Sequence, residues 1–235
     1  MRTDKTNQFH FEEGEILNFD KPINMSSFRL VSKVRGITGC KKVGHAGTLD
    51  PLASGVLLVC TGKSTKRVSE LMDFEKVYEG EIELGKQTET DDAEGKVIAS
   101  AEVPELPLNL IESGLQLFRG DIEQIPPVYS AIRIQGKRAY KLARQGKAVA
   151  PPVRQVTVFD LTILCWQSPI LKIRIRCSKG TYIRSLARDI GNHLGTYGYL
   201  KNLRRISIGP YHVDNALQLE DFKKLVIGHE NLSIA

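Results

Sequence analysis

The chain has 235 residues, of which 41% are hydrophobic and 26% are charged, a composition typical of a folded protein with one large domain or two small ones. It lacks the run of about 18 apolar residues that a membrane-spanning helix needs. Its polar N-terminus also lacks the apolar segment of a signal peptide, so a cytoplasmic protein is expected. The four cysteines form no C-x-x-C pair and the five histidines no H-x-x-x-H pair, so no metal site is expected.

Charge is unevenly distributed along the sequence. The formal net charge is +6, from 33 basic and 27 acidic residues. Between Gln124 and Arg205 there are sixteen lysines and arginines but only two acids, so this span carries +14 and the remainder −8. One basic region on an otherwise acidic protein is typical of a protein that binds a polyanion. The alternative is a solvated charged face without a partner.

The first predicted elements are a strand and a helix. Residues 1–13 are expected to form a flexible N-terminus. The pattern of residues 14–19 predicts a strand. The segment Asn24–Ser27 offers N-cap residues for a helix with apolar positions Phe28, Val31 and Val34.

The most informative stretch runs from Lys42 to Cys60. Its glycines suit a loop that needs unusual φ and ψ angles or a close backbone approach. The apolar run from Val56 to Cys60 predicts a buried strand directly after this loop. Within the loop, Pro51 keeps Asp50 out of a helical conformation. An Asp–Pro pair often caps a turn, so the residue types alone leave open whether Asp50 is structural or catalytic.

The sequence G-H-A-G-T-L-D-P-L-A-S-G-V-L resembles the signature of the TruB family of tRNA pseudouridine synthases. This resemblance implies that Asp50 is the catalytic nucleophile and that His45 holds the RNA opened by removal of the target base. The preceding K-P-I-N-M-S-S is similar to the family's K-P-x-G-x-S-S element. Asn24 takes the place of the usual glycine there, and asparagine also tolerates left-handed geometry.

A short motif that partly matches a phosphate-binding loop follows the predicted strand. Thr61–Thr65 contains G-K-S-T, but the phosphate-binding pattern needs a glycine where this chain has Leu57. A helix start is the better interpretation, with Leu71 and Met72 facing the core. By the family resemblance, Lys66 matches a lysine that lies near the RNA.

The next predicted strand, residues 76–84, contains Tyr78. A strand tyrosine is commonly just half-buried, but the resemblance implies that Tyr78 stacks on the target base. The loop T-E-T-D-D-A-E-G is similar to a family loop, and it makes Asp92 the matching acid, with a structural or substrate-positioning role. An amphipathic helix is expected over residues 108–118.

The block from Gln124 to Gly146 also resembles a block of the family. Its Tyr129 and Tyr140, with the basic residues between and around them, suit an RNA-binding surface. Core packing is the alternative for each tyrosine taken singly.

Strict alternation over residues 171–178 predicts a strand with Lys172, Arg174 and Arg176 in a row on one face. A helix follows the turn at residues 180–181. The block C-S-K-G-T-Y-I-R matches the family's arginine motif, which implies that Arg184 pairs with the catalytic aspartate.

The same resemblance places three further residues near the substrate pocket. Tyr182 corresponds to the pocket tyrosine of the family. Leu203 and Arg205 lie on a last predicted strand, residues 200–208.

The resemblance covers about residues 14–210 and implies an α+β fold, with a mixed, largely antiparallel sheet, flanking helices and a central RNA-binding cleft. Residues 211–235 are expected to be a short C-terminal extension, without a full RNA-binding PUA domain.

The implied function is isomerisation of uridine 55 in the T arm of tRNA. The implied partner is the tRNA T stem-loop, bound by a monomer without a nucleotide, metal or other cofactor. Attack of Asp50 on C6 or on C1′ and elimination through a glycal all stay open. The alternative functions are a non-catalytic RNA-binding or tRNA-folding module and, for the G-K-S-T motif, a nucleotide-dependent enzyme.

Overall fold

The computed structural model describes residues 9–130, 132–134, 137–139, 145 and 150–230. Residues 1–8 of the expected flexible N-terminus and Tyr140 lie outside these ranges. The chain forms two compact units. The first unit consists of Met1–Phe74 and Arg205–Ala235, and the second unit consists of Glu75–Arg204.

The described strands and helices alternate irregularly along the chain. The strands are β1 (Ile16–Lys21), β2 (Val43–Ala46), β3 (Ala53–Thr61), β4 (Lys76–Leu84), β5 (Lys86–Thr88), β6 (Val97–Ser100), β7 (Gly120–Gln124), β8 (Arg133–Ile134), β9 (Lys137–Arg138), β10 (Arg154–Gln167), β11 (Ile170–Cys177), β12 (Gly198–Ile208) and β13 (Tyr211–His212). The α-helices are α1 (Ser27–Thr38), α2 (Val68–Asp73), α3 (Leu108–Leu115), α4 (Ile183–His193) and α5 (Leu219–Glu230). Short 3-10 helices span Gly62–Arg67, Gln116–Phe118 and Val213–Asn215.

The first unit is built around β3. This strand pairs antiparallel with both β1 and β2, and the last residues of β12 pair antiparallel with β13. Helix α1 covers the core with a stripe formed by Leu30, Val31 and Val34. Phe222 of α5 packs into the same core, where Phe9 and Phe11 contact its ring.

The second unit contains a sheet with strand order β12-β4-β11-β10-β7, in which β4, β11, β10 and β7 pair antiparallel. Two small antiparallel pairs, β5 with β6 and β8 with β9, complete its strands. The predicted alternation in β11 is confirmed, because Leu171, Ile173, Ile175 and Cys177 are buried and the residues between them are exposed. The predicted α+β class with a largely antiparallel sheet and flanking helices is confirmed.

The structure departs from the pattern of the sequence in three details. Phe28 is 72% exposed, because the buried stripe of α1 runs through Ser27, Leu30, Val31 and Val34 and leaves Phe28 beside it. Met72 is 44% exposed, since α2 is only six residues long and its described core residue is Leu71. The helix predicted over residues 108–118 is α-helical only to Leu115 and continues as a 3-10 helix.

Candidate functional site

The predicted site residues are distributed over both units. His45, Asp50, Lys66 and Arg205 belong to the first unit, and Tyr78, Asp92, Tyr182, Arg184 and Leu203 belong to the second.

Asp50 lies in the loop that joins β2 to β3. It is half-buried, and its carbonyl accepts a hydrogen bond from the Ala53 N–H at 3.1 Å, which closes a turn into β3. Leu49 before it is 3% exposed, so the loop is anchored in the core next to Asp50. A carboxylate on a short, anchored loop is held in a defined place, as a nucleophile must be.

Arg205 fixes the two ends of this glycine-rich stretch. Its side chain is 1% exposed, and its guanidinium donates to the Val56 carbonyl at 2.7 Å and to the Gly47 carbonyl at 3.0 Å. Gly55 has φ +101°, and a Cβ there would lie 2.1 Å from the Arg205 carbonyl oxygen. The glycine is therefore required by close backbone approach, as the sequence pattern indicated. Arg205 therefore fixes the loop between Gly47 and Val56 through its two hydrogen bonds.

His45 lies on β2, opposite Val59 of β3. Burial lowers the pKa of His45, and the positive charge of Arg205 lowers it further, so the imidazole is neutral at pH 7. Its Nδ1 atom is buried and has no hydrogen-bond partner among the described residues. A neutral ring held in this way can contact an uncharged nucleobase or ribose.

Lys66 is exposed on the 3-10 helix Gly62–Arg67, and within the described ranges no carboxylate lies at ion-pair distance from it. The same helix explains the G-K-S-T motif. The Gly62 N–H donates to the Lys42 carbonyl at 2.8 Å, and a Cβ on Gly62 would meet the Phe11 and Glu12 carbonyls. This glycine serves backbone packing, so its N–H is not directed at a phosphate.

Tyr78 and Leu203 lie on the same face of the second unit's sheet. Tyr78 is 8% exposed and opposite Ile175 of β11, whose side chain is fully buried. Gly80, two residues along β4, faces the same side, and a Cβ there would lie 3.5 Å from the Leu203 Cδ1 atom. An aromatic ring and an aliphatic side chain thus lie on the face of the sheet that Gly80 shares.

The predicted row of basic residues lies on the other face of the same strands. Glu79 pairs in register with Arg174, and Glu81 with Lys172. Three ion pairs result: Lys172 with Glu81 at 2.8 Å, Arg174 with Glu79, and Arg176 with Glu75 at 2.9 Å. The predicted row on one face is therefore present, and acids that are distant in the sequence are its direct neighbours.

Arg184, on the first turn of α4, is 7% exposed and tightly bound. Its Nη1 atom lies 3.3 Å from Asp92 Oδ2 and donates to the Thr90 carbonyl at 3.1 Å, while Nη2 donates to the Tyr129 carbonyl at 3.2 Å. Asp92 is 2% exposed and also accepts from the Glu94 N–H at 3.0 Å. Asp92 thus orients the guanidinium of Arg184.

A second arginine on α4 secures the loop that carries Asp92. Arg188 Nη1 lies 2.9 Å from Asp91 Oδ2, and Asp91 occupies left-handed backbone geometry at φ 61°. Burial raises the pKa of Asp91, an effect that the charge of Arg188 opposes. The Leu200 N–H donates to the Asp91 carbonyl at 3.0 Å, which ties the loop to β12.

Gln124, the first residue of the block that resembles the family, positions Tyr182. Its side chain is 2% exposed, accepts from the Tyr182 N–H at 2.7 Å and donates to the Tyr182 carbonyl at 3.0 Å. Tyr182 is the N-cap residue of α4 and is half-buried. Burial of a glutamine at the end of a strand could not be foreseen from its neighbours.

Within the described ranges, no cluster of three or more His, Cys, Asp or Glu side chains is suited to a metal ion. In the same part of the chain, no helix is both long and apolar enough to cross a membrane.

Two family models match the chain. The model described as "TruB family pseudouridylate synthase (N terminal domain)" matches residues 35–183, and the one described as "tRNA pseudouridylate synthase B C-terminal domain" matches residues 184–233. Curated proteins named tRNA pseudouridine synthase B are similar over most of the chain. The protein from Francisella philomiragia is 44% identical over 98% of this chain and 76% of its own length. The protein from Phocaeicola vulgatus is 45% identical over 91% of this chain and 93% of its own length.

Solved structures resemble the chain as well. A chain in "Crystal Structure of a Cbf5-Nop10-Gar1 Complex" is 29% identical with a TM-score of 0.71, over 92% of this chain and 55% of that chain. A chain in "Structure of H/ACA RNP bound to a substrate RNA containing 2'-deoxyuridine" is 26% identical with a TM-score of 0.69, over 92% of this chain and 54% of that chain. The present chain spans just over half the length of these structural relatives.

Proposed function

Because the chain belongs to the TruB family of pseudouridylate synthases, we propose that it converts uridine to pseudouridine at position 55, in the T arm of tRNA. The observation that carries this proposal is the pair of family models, which together match residues 35–233. The family predicted from the motif around Asp50 is thereby confirmed. We further propose that the protein acts as a monomer in the cytoplasm.

The reaction breaks the N1–C1′ bond of uridine, rotates the uracil and joins its C5 atom to C1′. Nothing is oxidised or hydrolysed overall, so the proposed chemistry needs a nucleophile and a place for the rotating base. We assign the nucleophile to Asp50. Its carboxylate can attack C6 or C1′, while a glycal route would need a base for the C2′ proton, which Asp50 or Tyr78 could supply.

Arg184 is proposed to orient the carboxylate of Asp50 and to keep it ionised through a charge-assisted hydrogen bond. Its fixation by Asp92 and by two backbone carbonyls supports this role, because a guanidinium that is already oriented loses little freedom when it binds a carboxylate. Asp92 then acts on the reaction through Arg184 and does not need to contact the RNA.

The remaining residues are proposed to hold the substrate. Tyr78 stacks on the target uracil, and its position on the same face as Leu203 supports a shared apolar contact with the base. The neutral ring of His45 fills the space that the uridine leaves when it flips out of the stack. Tyr182 contributes to the pocket and Lys66 binds a phosphate. Arg205, which the family resemblance places near the substrate pocket, is assigned to the loop that carries Asp50.

The proposal is tested by mapping modified sites in an unmodified tRNA transcript after incubation with the protein. We expect one pseudouridine, at position 55, and none in a matched transcript with cytidine at that position. Tight binding of the transcript without any product would refute the enzyme assignment and favour a non-catalytic RNA-binding module. Product at another uridine would refute the proposed position alone.

A further inference from the structure

The loop that carries Asp50 has no regular secondary structure. Residues 47–52 lie between β2 and β3, outside both strands. Leu49 is nevertheless buried, and buried backbone groups need hydrogen-bond partners. The partners of this loop therefore decide where Asp50 is held.

One side chain bonds both backbone groups of Leu49. The Ser27 hydroxyl accepts from the Leu49 N–H at 2.9 Å and donates to the Leu49 carbonyl at 2.9 Å. Ser27 is 2% exposed and is the first residue of α1. A hydroxyl has one donor, so this bond to the carbonyl uses it fully. Ser27 thus takes the place of a neighbouring strand for the residue directly before Asp50.

The residue directly after Asp50 is bonded to the same segment. The Asn24 N–H donates to the Pro51 carbonyl at 2.8 Å. Asn24 has φ 63°, a left-handed conformation that aspartate, asparagine and glycine tolerate best. The chain at the start of α1 therefore holds Asp50 from both sides.

We propose that Ser27 is a positioning residue for Asp50 and sets the rate of the chemical step through the Leu49 backbone. This inference rests on the proposed function and deepens it. A nucleophile displaced by about 1 Å can lose about 100-fold in rate. Loss of the Ser27 hydroxyl frees both backbone groups of Leu49, so the carboxylate next to it moves over a wider range.

The chain offers a matched control in the adjacent serine. Ser26 is the N-cap of α1, and its hydroxyl accepts from the Arg29 N–H at 3.1 Å. Ser26→Ala and Ser27→Ala remove the same atom from neighbouring residues of the same helix start. Only Ser27→Ala removes a described contact with the loop.

The test measures single-turnover pseudouridine formation with saturating full-length enzyme, together with the Kd for the same tRNA transcript. We expect Ser27→Ala to slow the reaction about 10- to 100-fold while the Kd stays within about twofold. Ser26→Ala should leave both within about threefold. A purely structural role for Ser27 would lower the folded fraction but would not separate rate from affinity.

A rate for Ser27→Ala within about threefold of wild type, or an equal loss in Ser26→Ala, would overturn the inference. If Ser27→Ala does not fold, Ser27→Cys replaces it, because a thiol keeps the buried volume but is a weak donor and acceptor. Ser27→Cys must then show the same loss of rate at unchanged Kd. Wild-type protein that makes no pseudouridine would refute the proposed function, and this inference with it. An active wild type with an equally active Ser27 variant refutes the inference alone.

Discussion

The ion pairs that β11 makes with Glu75 and with β4 predict that the row of cations on β11 contributes nothing to RNA binding. Lys172, Arg174 and Arg176 face away from Tyr78, because residues opposite one another on neighbouring strands share a face and Tyr78 lies opposite Ile175. Each of these cations also has a carboxylate partner. The perturbation that tests this neutralises the whole ladder and keeps the net charge. The six changes are Lys172→Gln, Arg174→Gln, Arg176→Gln, Glu75→Gln, Glu79→Gln and Glu81→Gln.

The magnitude follows from counterion release. Three cations that contact RNA phosphates would contribute about 2 to 3 to the slope of log Kd against log salt, at about 0.7–0.9 per contact. The structure predicts that the six-fold variant keeps the wild-type slope to within about 0.5, which is less than one contact. The cost in stability is small. These side chains are 27–51% exposed, and exposed ion pairs contribute about 0–1 kcal/mol each.

The assay is a titration of labelled tRNA transcript with each protein at four or more salt concentrations. Lys66→Gln serves as the positive control, because Lys66 is exposed and has no ion-pair partner within the described residues. Its loss should make the slope shallower by about 0.7–0.9. A slope that falls by about 2 or more in the six-fold variant would show that these cations leave their glutamate partners and bind RNA phosphates. That result would refute the reasoning.

Three further predictions concern the loop and the charge network. Gly55→Ala should cost at least about 3 kcal/mol of unfolding free energy, because its Cβ would overlap the Arg205 backbone at positive φ. Gly36→Ala, in α1 with open space around it, should instead stabilise by about 0.5–1 kcal/mol, and equal effects in urea unfolding would contradict the argument. Arg205→Met should cost about 3–5 kcal/mol, since it removes hydrogen bonds from the buried Val56 carbonyl and the half-buried Gly47 carbonyl. A loss below about 1 kcal/mol would show that Arg205 does not fix the loop. Burial alone would raise the pKa of Glu83, but hydrogen bonds from two lysines and Tyr199 lower it to about 2. Because the pKa is lower in the folded state, ionised Glu83 stabilises the fold above pH 4.5, and this stabilisation is lost as the pH falls toward 2. The destabilisation that Glu83→Gln causes at pH 7 should therefore shrink between pH 5 and pH 3.

Much of the fold could be predicted from local patterns. The strand at residues 170–177 follows from period-two alternation, and α1 begins at the predicted N-cap serines, because both signals depend on neighbouring residues alone. The sequence also predicts that glycines in this stretch serve unusual φ angles or a close backbone approach, as Gly55 does. The partner of that glycine, Arg205, was not foreseen, since 150 residues separate the two in the sequence.

The charge pattern could not be interpreted from the sequence. Sixteen basic residues fall between Gln124 and Arg205, but the acids that pair with β11 precede this span. Only the register of β4 against β11 brings Glu79 beside Arg174. For the same reason the sequence assigned no role to Ser27, whose contact with Leu49 spans 22 positions.

The central claim is that Asp50 is the nucleophile of a tRNA pseudouridine synthase, and one comparison tests it most directly. Single-turnover product formation and tRNA affinity are measured for wild type and for Asp50→Asn, which removes the negative charge at nearly constant shape. The account predicts that wild type modifies uridine 55, whereas Asp50→Asn binds the transcript equally well and forms no product. Pseudouridine formation by Asp50→Asn at a rate near that of wild type would contradict the account.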